Sequence, residues 1–142
     1  MLSKRQKTRY PMKQSAGVPI ILVIEDVEET RDGIEKMLTA DGYRVNPARD
    51  EEDAIRRTSQ ERPNLILVSL GGRCIDIIAT ARRVRDRADL TEKVPVVIFC
   101  IETIGEGTEV GIGKNTYLTR PENFDQLRHF LGRLLRQLPP AS

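Results

Sequence analysis

The stretch Asn64-Leu65-Ile66-Leu67-Val68-Ser69-Leu70 decides the fold of this 142-residue chain. Its apolar residues run without interruption from position 65 to 68, which is typical of a strand buried on both faces of a parallel sheet. In an open parallel sheet, ligands bind beyond the carboxyl ends of the strands. We therefore expect Ser69, where this strand ends, to lie at the functional edge of the molecule.

Short apolar runs alternate with amphipathic stretches on both sides of this segment. This alternation predicts an α/β fold, in which a doubly wound parallel sheet carries helices on both faces. Pro47 stops the second strand, which suits an edge position. Asp50 precedes the second helix as its expected N-cap. The predicted strands cover 20–24, 43–45, 64–70, 94–100 and 116–119, and the predicted helices cover 28–40, 50–62, 75–88 and 122–138.

Two of the predicted helices have clear apolar faces. In the third helix we expect four apolar residues to face inward and four arginines to point mostly outward. The apolar residues are Ile75, Ile78, Ala81 and Val84, and the arginines are Arg82, Arg83, Arg85 and Arg87. The last helix carries an apolar stripe, which should pack on the sheet. The stripe consists of Phe124, Leu127, Leu131, Leu134, Leu135 and Leu138.

Composition limits the class of protein. A hydrophobic content of 39% and a charged content of 31% fit a soluble globular protein. No apolar run approaches the roughly 20 residues of a membrane helix, and the N-terminus lacks the apolar centre of a signal peptide. We therefore expect a cytoplasmic protein. Its two cysteines, Cys74 and Cys100, should then be free thiols.

Positive charge is concentrated at the N-terminus. Residues 1–18 contain five cations and no acid, so the whole-chain charge of +2 leaves −3 for residues 19–142. We divide the chain into a basic, disordered tail over 1–17, one domain over 18–138 and a short C-terminal tail over 139–142.

Deleting the basic tail should leave thermal stability nearly unchanged, because so polar a segment cannot bury enough surface to offset the entropy lost when it becomes ordered.

Several motifs between Ile20 and Gln137 resemble the receiver domain of bacterial two-component response regulators. The resemblance implies a flavodoxin-like sheet of five parallel strands in the order 2-1-3-4-5, with helices on both faces. The motifs are Ile21-Leu22-Val23-Ile24-Glu25-Asp26, Asp41-Gly42-Tyr43-Arg44-Val45, Arg62-Pro63-Asn64-Leu65-Ile66-Leu67-Val68, Val94-Pro95-Val96-Val97 and Tyr117-Leu118-Thr119-Arg120-Pro121.

The resemblance also assigns a phosphorylation pocket, in which this chain departs from the family. Active receivers have an aspartate phosphate acceptor where this chain has Ser69, and that aspartate holds Mg²⁺ together with an acid pair. The family's hydroxyl residue and lysine are replaced by Cys100 and Arg120. A hydroxyl is a poor Mg²⁺ ligand and, without a base, a weak nucleophile. We predict a degenerate phosphorylation pocket of Glu25, Asp26, Ser69, Cys100 and Arg120, beside the family's switch aromatic Tyr117.

Two further expectations concern the surroundings of this pocket. Arg120 should pair with Asp26 or Glu25, because both carboxylates would lack their usual cation. Active receivers have a full helix between their fourth and fifth strands, but this chain has glycines there, which disfavour a helix. We therefore expect a degenerate fourth helix that is short or broken, and mobile. The glycines are Gly105, Gly107, Gly111 and Gly113.

These observations favour a phosphorylation-independent pseudo-receiver, a protein-interaction module of bacterial signal transduction. We expect no catalytic residue, cofactor, metal or membrane span, and we expect protein partners at the last helix; homodimer formation stays open. One alternative is a receiver that responds to a metal or an acidic ligand through Glu25, Asp26 and Arg120. Another is a nucleic-acid-associated protein that uses the basic tail and the arginines of the third helix, although no helix-turn-helix pattern supports it.

Overall fold

The structure, a computed structural model, describes residues 17–136. The predicted tails lie outside this range, except for Gly17, so the expectations about them stay predictions. Ten elements follow one another in the described part: β1 (Ile20–Glu25), α1 (Glu28–Ala40), β2 (Arg44–Ala48), α2 (Glu51–Gln60), β3 (Leu65–Ser69), α3 (Cys74–Arg87), β4 (Val96–Phe99), β5 (Thr108–Gly113), β6 (Thr116–Arg120) and α4 (Phe124–Arg136).

The strands form one sheet in the order β2-β1-β3-β4-β6-β5. The first five in this order are parallel and follow the predicted order 2-1-3-4-5, with β6 in the fifth place. The predicted fold class is therefore confirmed. A sixth strand, β5, was not predicted, and it pairs with β6 in the antiparallel direction.

The central strands β1 and β3 are buried on both faces of the sheet. Successive side chains of a strand point to opposite faces, so each strand contributes to two separate clusters. Fully burying an aliphatic side chain stabilises a fold by about 1.5–3 kcal/mol, which makes these strands the centre of the core. One cluster joins Ile21, Val23, Leu65 and Leu67 to α1 and α4, and the other joins Leu22, Ile24, Ile66 and Val68 to α2 and α3.

The inward face of α3 differs from the prediction. Ile75, expected inside, is 64% exposed, whereas Ile77 is buried. The first residue of the helix, Cys74, is already buried, and the residues that share its face follow three or four positions later. Ile77 lies on this inward face, whereas Ile75 does not. The buried residues of α3 are Cys74, Ile77, Ala81, Val84 and Arg85.

The strand β2 continues through Pro47, which we expected to stop it. Pro47 is in register with Val23 of β1, and the strand ends one residue later at Ala48. Proline is tolerated here because β2 is an edge strand. In an edge strand, a residue that lacks an N–H can lie where that group would face solvent and not the neighbouring strand.

The segment between β4 and β6 contains a strand where a short or broken helix was expected. β5 and β6 are joined by Lys114 and Asn115, whose φ angles of 54° and 56° are both left-handed. Two successive residues of this kind make the tight turn that suits the twist of a β-hairpin. The absence of a full fourth helix is as predicted for residues 101–115, but the glycine-rich chain pairs with the sheet instead. Its mobility stays a prediction.

The start of α2 is held by two aspartates. Asp50 accepts a hydrogen bond from the backbone N–H of Asp53, which confirms it as the N-cap. Asp53 is almost fully buried; it accepts from the N–H of Arg49 and forms ion pairs with Arg56 and Arg57. Burial by itself would raise the pKa of the Asp53 carboxyl. The Arg49 hydrogen bond and the charge of Arg57 outweigh it, so the pKa lies below its ordinary value.

Replacing Asp53 with asparagine should lower the free energy of unfolding at neutral pH by about 1–2 kcal/mol. Because the native pKa is below the unfolded one, the carboxylate stabilises the fold above the unfolded pKa, and this stabilisation is lost as the pH falls through the native pKa. Urea titrations from neutral pH into acid should therefore give a flatter pH dependence for Asp53→Asn. Asp32→Asn, at an exposed position of α1, is the control; equal slopes for wild type and Asp53→Asn would contradict the assignment.

Arg85, one of the arginines expected to point mostly outward, is instead a buried cation that ties α3 to the hairpin. Its guanidinium donates to the carbonyl oxygens of Thr91 and Lys114 at 2.7 and 2.9 Å, and to Thr116 Oγ1 at 3.3 Å. Burial lowers the pKa of the Arg85 side chain from its ordinary value. One side chain, Arg85, thus donates hydrogen bonds both to the loop after α3 and to the turn of the β5–β6 hairpin.

Replacing Arg85 with methionine should lower the free energy of unfolding by about 2–3 kcal/mol, because two carbonyl oxygens and a buried threonine hydroxyl lose a charged donor. The exposed Arg82 on the same helix provides the matched control, and Arg82→Met should change stability by less than about 0.5 kcal/mol. Urea denaturation measures both values. Similar stabilities for the two variants would show that Arg85 is not needed to hold the hairpin.

Candidate functional site at the carboxyl ends of the strands

The central strands end in a pair of hydrogen-bonded side chains. Glu25 ends β1 and lies in register with Ser69, which ends β3. The Ser69 hydroxyl donates to Glu25 Oε1 at 2.6 Å, and Glu25 Oε2 accepts from the backbone N–H of Val27 at 3.0 Å. Only 4% of Glu25 is exposed. Both oxygens of this buried carboxylate therefore have a partner within the chain.

The second acid of the pair lies apart from the first. Asp26 is exposed, and its carboxylate lies over Gly71 in the loop after β3. Arg31, on α1, donates to the backbone carbonyl of Glu25 at 2.8 Å. Sequence reasoning did not identify Arg31, because a helical arginine carries no signal for a contact of this kind.

The predicted ion pair of Arg120 is wrong. Arg120 Nη1 donates to the carbonyl oxygen of Ile104 at 3.1 Å, and it makes no ion pair with Glu25 or Asp26. The physical reason is that Glu25 is already satisfied by Ser69 and a backbone amide, while Asp26 is solvated. The carboxylates therefore do not need the cation, and its side chain anchors the segment before β5.

The residues that would hold a divalent cation in this family do not fit one here. Mg²⁺ requires oxygen ligands, usually including carboxylates, in near-octahedral geometry. Ser69 supplies only a neutral hydroxyl, and this hydroxyl donates to Glu25 Oε1. A carboxylate oxygen that could otherwise bind the cation is therefore already hydrogen-bonded. Within residues 17–136, no group of three or more His, Cys, Asp or Glu side chains is arranged to hold a metal ion.

Cys74 and Cys100 form a disulfide, so the expectation of free thiols is wrong. Their Cα atoms lie 5.8 Å apart, within the range that a disulfide spans. Cys100 directly follows β4 and Cys74 opens α3, and the parallel packing of β3 and β4 brings these two points together. A separation of 26 residues in sequence does not reveal this.

Tyr117 lies away from Ser69, under α4. Its ring makes an edge-to-face contact with Phe130, with the ring centroids 5.6 Å apart, and its hydroxyl donates to Asn115 Oδ1 at 2.7 Å. The side chain of this predicted switch aromatic is therefore held at both its ring and its hydroxyl.

A mainly apolar cleft of about 690 Å³ opens at this edge of the sheet. Ser69, Cys74 and Cys100 contribute to its wall. Phe124, which we expected to be packed inward, lies at this cleft and is 63% exposed. The larger apolar side chains of the cleft are Ile34, Met37, Leu70, Ile77, Phe99, Ile101 and Phe124.

An ion pair joins the helices beside the cleft. Arg128 of α4 donates to both carboxylate oxygens of Asp41, which caps the end of α1, at 2.8 Å each. This bidentate bond holds the pKa of the Asp41 carboxyl below its ordinary value. The two residues are 87 positions apart, and nothing in the sequence connects them.

The arginines of α3 are largely occupied. Arg83 and Arg87 form ion pairs with Glu51 and Glu52 of α2. The hydrogen bond from Arg83 lowers the pKa of the Glu51 carboxyl. Arg85, as described, is buried. This arrangement disfavours α3 as a basic surface for nucleic acid.

The comparisons with known proteins agree with the fold. The family model for the response regulator receiver domain matches residues 21–131. The chain belongs to the response regulator receiver domain family. It is thus a receiver domain of two-component signalling. Within residues 17–136, no helix is both long enough and apolar enough to cross a membrane.

Its curated relatives are longer response regulators. The transcriptional regulatory protein AfsQ1 of Streptomyces coelicolor is 29% identical over 106 residues, which cover 73% of this chain and 45% of AfsQ1. The response regulator MprA of Mycolicibacterium vanbaalenii is 24% identical over 122 residues, which cover 84% of this chain and 52% of MprA. The chain spans about half the length of the curated relatives it matches.

Solved structures share the fold. The chemotaxis protein CheY4 of Vibrio cholerae matches with a TM-score of 0.63 and 21% identity, covering 83% of this chain and 99% of CheY4. The signal receiver domain of a histidine kinase from Syntrophus aciditrophicus matches with a TM-score of 0.68 and 23% identity, covering 88% of this chain and 96% of that domain. At these identities, the likeness shows the fold alone.

Replacing Ser69 with alanine should lower the free energy of unfolding by about 1–2 kcal/mol, because the buried Glu25 carboxylate loses its side-chain donor. Ser59→Ala is a matched control, since the Ser59 hydroxyl donates to the carbonyl oxygen of Arg56 at the exposed surface of α2. Thermal or urea unfolding compares the two variants. A Ser69→Ala protein as stable as Ser59→Ala would show that the bond contributes nothing to the fold.

Proposed function

We propose that this receiver domain is a pseudo-receiver, a protein-interaction module whose function does not depend on phosphorylation. The observation that carries this proposal is the hydrogen bond between Ser69 and Glu25. A receiver that accepts phosphate needs a carboxylate nucleophile and a metal-binding acid at these two positions. Here, Ser69 stands at the position of the nucleophile and is neutral, and its hydroxyl donates a hydrogen bond to the Glu25 carboxylate at the position of the metal-binding acid.

The Ser69–Glu25 pair is also poorly suited to act as a nucleophile and its general base, which supports the proposal. A carboxylate is a far weaker base than a serine alkoxide, so it does little to ionise the hydroxyl. The negative charge of Glu25 would also lie against an incoming phosphoryl group. Arg120, the cation that could offset this repulsion, bonds to Ile104 instead. Phosphoryl transfer relies on such charge stabilisation.

Function would then come from a surface that the domain presents to a protein partner in a signalling pathway. We place this surface on α4 and the neighbouring hairpin of β5 and β6, where the described chain has a strand in place of a helix. The response regulator TrrA, a structural neighbour with 17% identity and a TM-score of 0.64, was solved in complex with the histidine kinase ThkA. A signalling protein is accordingly the class of partner we propose, with the domain spanning 18–138 and acting in the cytoplasm.

The test is treatment of the whole chain with acetyl phosphate and Mg²⁺, followed by intact-mass measurement. We expect no phosphoryl adduct, because the acceptor carboxylate is absent. An acid-stable, stoichiometric phosphoryl group on Ser69 would overturn the proposal. Ser69→Ala serves as the matched control, because it removes the only hydroxyl at the acceptor position and shows whether any adduct arises elsewhere.

Calorimetry with Mg²⁺ tests the competing reading of a metal-responsive receiver. We expect no binding heat. A saturable heat that disappears in Asp26→Asn would support metal binding at the acid pair and contradict the pseudo-receiver. Asp32→Asn, which removes an exposed carboxylate from α1, is the control for a general loss of negative charge.

A further inference from the structure

The disulfide joins two points of the chain that border the former phosphate-acceptor position. Cys100 directly follows β4, and Cys74 begins α3 just after the loop that leaves Ser69. The bond therefore ties the loop 70–73 and the start of α3 to the end of β4. These are the only two cysteines in the chain, so neither has an alternative partner within it.

Both cysteines border the apolar cleft. Their side chains are almost completely buried, with 4% of Cys74 and 2% of Cys100 exposed, yet both contribute to the wall of the cleft. The cleft is about 690 Å³, which is large enough to admit a small thiol. The cleft is the route by which a small thiol would reach the bond while the sheet stays folded.

Neighbouring side chains distinguish the two sulfurs. The Thr103 hydroxyl lies 2.9 Å from Cys100 Sγ and 3.9 Å from Cys74 Sγ, so it can donate to a thiolate at Cys100. The Glu102 carboxylate accepts the backbone N–H of Cys74 at 3.0 Å. Its negative charge disfavours a thiolate at Cys74. The geometry therefore favours Cys100 as the sulfur that leaves when the bond opens.

We propose that Cys74–Cys100 is a reversible redox modification site, which exchanges with low-molecular-weight thiols and disulfides of the glutathione class. A small thiol, having lost its proton to water, attacks Cys74 Sγ. The S–S bond breaks, its electron pair goes to Cys100 Sγ beside Thr103, and that thiolate takes a proton from water. A second small thiol attacks the mixed disulfide, releasing Cys74 as a thiol and a small-molecule disulfide. The reverse sequence oxidises the pair.

The surroundings favour exchange over a permanent staple. Disulfides that a fold requires occur mainly in small secreted domains that lack a sufficient core. Here, two apolar clusters enclose the sheet, one on each face, and the cysteines are two of the many buried residues of only one cluster. The site goes beyond the proposed function, because thiol exchange and the absence of phosphorylation are independent properties. Either can fail while the other holds.

The experiment equilibrates the folded whole chain in buffers of reduced and oxidised glutathione at varied ratios. Acid quenching, maleimide alkylation and intact mass then count the thiols. We expect two alkylated cysteines in reducing buffer and none in oxidising buffer, with one transition that is the same in both directions. Two reactive thiols at every ratio would overturn the proposal. So would a bond that opens only in denaturant, or a stable glutathione adduct as the oxidised end point.

A kinetic comparison tests the part assigned to Thr103. Thr103→Val keeps both cysteines but removes the hydroxyl beside Cys100, and it should slow reduction by dithiothreitol about threefold or more. Thr39→Val makes the same chemical change at an exposed position of α1 and should leave the rate unchanged. Equal rates for the two variants would contradict the assignment of Cys100 as the leaving sulfur.

Discussion

The complete burial of β1 and β3 at the centre of the sheet is the constraint on which the rest of this structure depends. Neither strand can carry a charged side chain along its length, because both of its faces pack against helices. Polar residues therefore appear only where the strands end. Glu25 still lies inside the protein at that point, so its two oxygens must find donors, and Ser69 and the Val27 amide provide them. The chemistry of the site follows from this requirement.

The glycine-rich segment shows how a fold adapts when one element is lost. A helix at this position would satisfy its own backbone groups, whereas an irregular segment would leave them unpaired. Pairing with β6 solves the problem, since the hairpin extends the sheet by one strand. Arg85 bonds to this hairpin, since its guanidinium donates to the carbonyl oxygen of Lys114 at the turn. A buried cation on α3 thus supports the element that takes the place of a helix.

Charge is used within the domain mainly to join elements. Arg83 and Arg87 connect α3 to α2, and Arg128 connects α4 to the end of α1. Exposed pairs of this kind each contribute at most about 1 kcal/mol. They matter here for a different reason, because an arginine that binds an acid of the same chain is less available to an external anion. The high sequence pI of about 8.7 has a separate cause, since five cations and no acid lie in residues 1–18 while residues 19–142 carry a net charge of −3.

The sequence by itself determined the fold class, the order of the five parallel strands and the identity of the residues at their carboxyl ends. The fold class depends on local patterns, namely apolar runs and helical spacing, and the Asp50 cap is equally local. The order of the strands followed from the motifs that resemble the receiver family. The partner of each polar group was decided only by the tertiary structure. Arg120 bonds to Ile104, Glu25 bonds to Ser69, and Cys74 bonds to Cys100. Such choices depend on distances of a few ångströms between residues far apart in sequence. The glycines predicted that a full helix would be lost, but only the open edge of β6 decided that a strand would replace it, because unpaired backbone groups must find partners in space.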